Sequence, residues 1–229
     1  MKRRFVDPAE IARAYRDPLS WASLAVDLLP VVAVFAFGWG ATPLVALYWL
    51  ENLVIGVFTI FRMIGTAAAA LINLAAALFV VPFFIVHYGG FCYGHGIFLN
   101  VFATGGDESF PTPASLIRWA FGTAPEMPWF VGAIAAVAAL YFLAEFIGRG
   151  EFRQTIPAEE MGAPYGRIIT LHIAIILGAA VAFSMDEPLA GVLLLILIRV
   201  VFGIAMTVMR RRKREAAVAA GASLVEDGA

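Results

Sequence analysis

An all-α bundle of about six membrane-spanning helices, with both termini on the cytoplasmic side, is the fold this sequence predicts. Three observations predict it. The 229 residues are 62% hydrophobic and only 14% charged, and their mean hydropathy is +0.86, far from the mix of a soluble domain. The apolar residues gather into long runs. The basic residues fall between those runs in an alternating pattern.

A bilayer core about 30 Å thick needs roughly 20 apolar residues per helix. Runs of that length cover residues 18–40, 42–64, 70–102, 128–148, 165–184 and 187–209. The first follows a polar stretch and carries Asp27 and Pro30, as a retained helix would and a cleaved signal peptide would not. The third is long enough to tilt, kink or project from the membrane. Of the 16 Lys and Arg residues, 14 fall on the side that holds both termini, from Lys2, Arg3, Arg4, Arg13 and Arg16 to the cluster Arg210–Arg214. Arg118 alone falls outside, and Arg199 lies within the sixth run. This is the cytoplasmic Lys and Arg excess of an inner-membrane protein, and one missed helix would invert every later loop. Trp21, Trp39 and Trp129 fall near helix ends, where indole rings favour the headgroup layer.

Three regions follow. Residues 1–17 form a cytoplasmic, interfacial segment in which "DPAEIARAYRDP" reads as a short helix, with Asp7 as cap and Pro8 at its first position. Residues 18–210 form the membrane domain. Residues 211–229 form a basic and then flexible tail. Between helices four and five, "GRGEFRQTIPAEEMGAPYGR" reads as a solvated connector, ahead of a cytoplasmic docking or substrate-contacting loop. The outer loop contains "TPASLIRWAF", a cap, a proline and an amphipathic turn that would lie on the membrane surface.

A net charge of −1 gives no ground for a nucleic-acid partner, and one cysteine allows no internal disulfide. The lipid bilayer is the expected surrounding, with a homodimer or another membrane protein as partner. The chemistry therefore has to be sought among polar residues that lipid should exclude. These are Glu51 and Asn52 in the second run, His87 and His95 in the third, His172 in the fifth and Arg199 in the sixth. Asp27 and Glu145 are less securely placed. His87 and His95 are eight residues apart, roughly 80° of rotation and about 12 Å of rise on a regular helix. Pro82, Gly89 and Gly90 could bend the helix until both converge on one centre, or the two histidines could stand as separate sites. Glu51 and Arg199 could meet near mid-membrane as an ion pair.

Carboxylate and imidazole are common zinc ligands, so Glu51, His87, His95 and His172 form a candidate metal set. A divalent metal such as zinc is the first candidate cofactor, ahead of a single b-type haem. The sequence has neither HExxH nor CxxCH, and no specific metal motif supports the set. Gly90 and Gly94 form a GxxxG pattern, read as a helix-packing face. Cys92 reads as a small apolar residue.

The segments "YWLENLVIG" (48–56), "FFIVHYGGF" with "HGIFL" (83–99), "GRGEF" (148–152) and "APYGRIITLHIAII" (163–176) stand in this order. Together they resemble a family of small bacterial polytopic membrane proteins classed as a domain of unknown function. The resemblance runs from about Leu24 to Met209 and implies that Glu51, Asn52, His87, His95 and His172 matter. It implies no substrate. Three functions follow from the residues themselves: a buried His and Glu centre holding a metal for hydrolytic or redox chemistry, a proton-coupled transporter or carrier, or a non-catalytic accessory or assembly subunit.

Overall fold

The computed structural model describes residues 8–106 and 110–166, and beyond them residues 169, 194, 196–198, 200–209, 211, 212 and 215. The described residues are helical, with no strand among them. Four helices are long and apolar enough to cross a membrane: α2 (Pro18–Phe37), α3 (Ala41–Ala67), α4 (Leu71–Thr104) and α6 (Met127–Tyr141, continued to Gly148 by a π-helical turn). They coincide with the first four apolar runs. The fifth run lies outside the described residues apart from its first two positions and Ile169. The sixth is represented by α8 (Ile196–Met209), within which Arg199 lies outside the described residues.

Local chemistry sets the boundaries. Before α2, the Asp17 side chain accepts the Leu19 N–H at 3.1 Å, and Pro18 takes the first helical position. The helix stops at Gly38, whose φ of 66° is the left-handed conformation that turns the chain so that the Trp39 N–H reaches the Ala33 carbonyl at 3.1 Å. α1 (Pro8–Ala14) begins at its proline as expected. α5 (Pro113–Gly122) begins at Thr112, whose hydroxyl accepts the Ser115 N–H at 3.1 Å.

The most buried of the four long helices is α3, which packs against α4, α5, α6 and α7 (Pro157–Gly162). The main core gathers Leu44, Leu47, Trp49 and Leu50 of α3 with Leu116 and Ala120 of α5 and Met127, Phe130 and Ile134 of α6. α5 therefore does more than lie on a surface: Leu116 is fully buried against α3 and α4. α6 is tied to the start of α2 by the Tyr141 hydroxyl, which donates to the Leu19 carbonyl at 2.6 Å. Large apolar side chains such as Leu71, Phe79, Phe102 and Trp129 point outward. Such a surface suits hydrocarbon and not water.

Two expectations change. Trp39, expected at a headgroup boundary, is buried: its ring stands 4.7 Å from that of Phe130, and its indole N–H donates to Glu126 at 3.2 Å. The loop after Gly148, expected as a solvated connector, folds back as the turn Glu151–Arg153 and α7 and packs on α3 and α4. Pro157, Glu160 and Pro164 are buried there. The reason is charge: Arg62 of α3 draws the loop's acids onto the bundle.

Candidate functional site

The α3 sequence places Tyr48, Glu51, Asn52, Thr59 and Thr66 at helical spacings of three, four and seven, so they share one side of the helix. All five are buried, Glu51 at 4% and Asn52 at 8% exposure. A polar stripe inside an apolar bundle is costly unless it is partnered, and α3's own carbonyls supply part of that partnering. Thr59 and Thr66 donate their hydroxyls back to the Ile55 and Met63 carbonyls at 2.8 and 2.7 Å.

Two aromatic side chains fix α3 against α4. Trp49 donates its indole N–H to the Cys92 carbonyl at 2.7 Å, and Tyr88 donates its hydroxyl to the Asn52 carbonyl at 2.9 Å. A helical carbonyl has a second lone pair, so each bond adds to the helix ladder without breaking it. Each ring also sits on a glycine of the opposite helix. A Cβ at Gly96 would lie 2.7 Å from Trp49 Cζ2, and one at Gly56 would lie 2.7 Å from Tyr88 Cε1. Glu51 and Asn52 follow Trp49 by two and three residues in α3, so this reciprocal pair of locks sets their rotation and depth.

The close approaches are thus made at Gly56 and Gly96, and at Gly65, where a Cβ would meet the buried ring of Phe146 at 2.5 Å. A Cβ at Gly90 or Gly94, the GxxxG pair, would meet no described residue within 4 Å. Spacing alone did not separate the two sets, because Gly96 is alone in its pattern and the signal is the aromatic partner on another helix.

The histidines fall elsewhere. α4 is one unbroken helix through Pro82 and the Gly89–Gly90 pair. His87 and His95 therefore stay about 12 Å apart along the axis, and a single ion cannot take both. His87 lies exposed on the flank of α4, stacked 5.3 Å from Phe83, with Phe91 and Tyr165 also beside it. His95 is half-buried, and its Nδ1 bonds to the Phe91 carbonyl at 3.2 Å. Being opposite a carbonyl, that nitrogen is the donor. His172 and Arg199 lie outside the described residues. Among the described residues no three His, Cys, Asp or Glu side chains gather as metal ligands would.

Two acids that the sequence left uncertain are firmly buried, Asp27 at 5% and Glu145 at 3% exposure. Glu145 sits in the π-helical turn and pairs with Arg149 at 2.5 Å, and Arg149 also reaches Asp17 at 3.1 Å. Asp27 presses on α8: a Cβ at Gly203 would lie 2.1 Å from its Oδ2. Tyr15, at the turn between α1 and α2, has its hydroxyl held above the usual range by burial and then by the Asp27 charge, against a hydrogen bond with Thr207. A cavity of about 140 Å³ opens beside it, lined by Ser20, Tyr141, Glu145, Thr207 and Arg211 among others.

Among the described residues, a bidentate ion pair extended by a third bond stands at the end of α3. Arg62 Nε meets Glu160 Oε2 at 2.5 Å, and its Nη2 meets Glu160 Oε1 at 3.1 Å and Glu151 at 2.9 Å. Its guanidinium lies 4.5 Å from the centre of the Phe146 ring. Arg62 was legible as a topology marker and, eleven residues after Glu51, as part of the same polar stripe. Its bidentate role was not, because its partners lie 89 and 98 residues away.

Compared with known proteins, residues 9–220 match the model of a family described as "Family of unknown function (DUF6498)". No curated protein and no solved structure matches the chain.

Proposed function

This chain belongs to the family of unknown function whose model covers residues 9–220, and from that grouping, which carries no activity, we propose a proton-coupled carrier of the bacterial inner membrane. It spans the bilayer six times, with both termini cytoplasmic, and works as a homodimer because six helices are few for a monomeric carrier. The observation that carries the reading is Glu51, a carboxylate 4% exposed in the most buried of the long apolar helices. Ionisable groups at such positions mark ion pathways and proton relays. Asn52 stands beside it, and His87, His95, His172 and Arg199 complete the polar set that the sequence proposes.

The topology has its own support. Glu10 of α1 pairs with Arg212 after α8, Asp17 with Arg149, and Arg62 with Glu151. These contacts join the start of α2 and the ends of α3, α6 and α8 on one side, as an even number of crossings requires.

The test is proton flux in liposomes carrying the purified protein, driven by an imposed potassium diffusion potential. Flux should fall to the protein-free level in Glu51→Gln, which keeps size and hydrogen-bonding capacity but cannot ionise. Equal flux in wild type and variant would defeat the reading. Elemental analysis of tag-free protein tests the metal-centre reading in parallel. A stoichiometric metal, lost in a His87→Ala and His172→Ala double variant, would replace the carrier with a ligated centre.

A further inference from the structure

Between α3 and α4, Met63, Phe84, Tyr88 and Cys92 form a second buried cluster, and Met161 of α7 and Tyr165 beyond it pack over that cluster. Tyr88 is the residue that bonds the Asn52 carbonyl, and its ring meets Tyr165 edge-on at 6.1 Å. A continuous line of contacts therefore runs from the Glu51–Asn52 centre through Tyr88 to the folded-back loop. The loop is held in place from α3 itself, through the Arg62 bonds to Glu151 and Glu160.

This segment has the features of a moving part. Gly148 and Gly150 stand before it and Gly162 and Gly166 at its far end, and Gly150 has a φ of 70°. Such residues absorb the backbone rotation of a hinge at low cost. A π-helical turn, a form frequent at functional sites, leads into it. Its fastening is ionic and wet on one side: the Arg62 and Glu151 side chains are 25% and 39% exposed, while Glu160 on the other side is 7% exposed, so water reaches the Arg62–Glu151 contact. Such a contact can exchange with water more easily than the packed core behind it.

We infer that residues 151–165 form a lid over the α3–α4 centre, latched by Arg62, and that unlatching opens the Tyr88–Cys92 cluster beside Asn52 to water on that side. The inference rests on the reading of Glu51 and Asn52 as the working centre. The latch closes the approach on the side where α3 ends, and its release gives the centre access to that side.

The chain provides its own reporter, since Cys92 is the single cysteine and lies under the lid at 4% exposure. Full-length protein in nanodiscs is treated with a water-soluble maleimide, and labelling is followed with time. Wild type labels slowly. Arg62→Gln should label about tenfold faster and Glu151→Gln a few-fold faster, as expected when a local opening becomes more populated. Arg118→Gln, on α5, should keep the wild-type rate. An unchanged rate in folded Arg62→Gln and Glu151→Gln overturns the lid, as does an equal rise in Arg118→Gln, which would indicate general loosening. If Arg62→Gln does not fold, Glu151→Gln decides. Faster labelling in the latch variants together with absent proton flux in wild type would retire the carrier and keep the lid.

Discussion

Replacing Gly96 by valine should lower the stability of the detergent-purified protein by about 3 kcal/mol, the upper range for overpacking a well-filled core. For a chain of this length that is a fall of roughly 6–12 °C in the melting midpoint. A Cβ there meets Trp49 Cζ2 and Cε2 at 2.7 and 2.9 Å and Leu116 Cδ1 at 3.0 Å. Leu116 is fully buried, and the Trp49 indole is held by its bond to the Cys92 carbonyl, so neither can step aside cheaply. The atoms in the way belong to the six-membered part of the indole, which phenylalanine lacks at that position. Trp49→Phe combined with Gly96→Ala should therefore cost less than the two single changes added together. Gly90→Val is the comparison. A loss as large there would return the close helix contact to the GxxxG face and away from the Trp49–Gly96 lock.

The second large effect is expected at Arg62. Arg62→Met leaves Glu160, 6% exposed, without its bidentate cation. Removing one partner of a buried pair costs about 3–5 kcal/mol. Arg62 is a quarter exposed, and water reaching the site screens the loss, so a value of about 2–3 kcal/mol is expected. The double variant Arg62→Met and Glu160→Leu should recover more than half, because the cost comes from the stranded carboxylate and not from the missing attraction. Thermal unfolding of the four proteins closes the cycle. A double variant no more stable than Arg62→Met would mean that the guanidinium acts through its packing on Phe146.

The two predictions probe opposite ends of α3. The Trp49–Gly96 lock positions the candidate centre, and Arg62 holds what covers it. Both are contacts between helices, which a linear pattern registers poorly. Arg62 was readable as a basic residue in line with Glu51 but not as a latch, and Gly96 as one more glycine in a glycine-rich stretch.

The sequence by itself determined where the first four long helices lie, because a run of apolar residues of spanning length, closed by Asp17–Pro18 or Gly38, has few other conformations to adopt. It also singled out Glu51 and Asn52, since a carboxylate and an amide amid apolar residues stand out without any structure. Only the tertiary structure decided that Glu145 and Asp27 are buried, that α4 runs unbroken and holds His87 and His95 apart, and that the loop after Gly148 closes over the α3–α4 pair. The physical reason is range. Helix formation and the avoidance of lipid are settled within a few residues, whereas ion pairs such as Arg62–Glu160 and ring-on-glycine contacts exist only once distant segments meet.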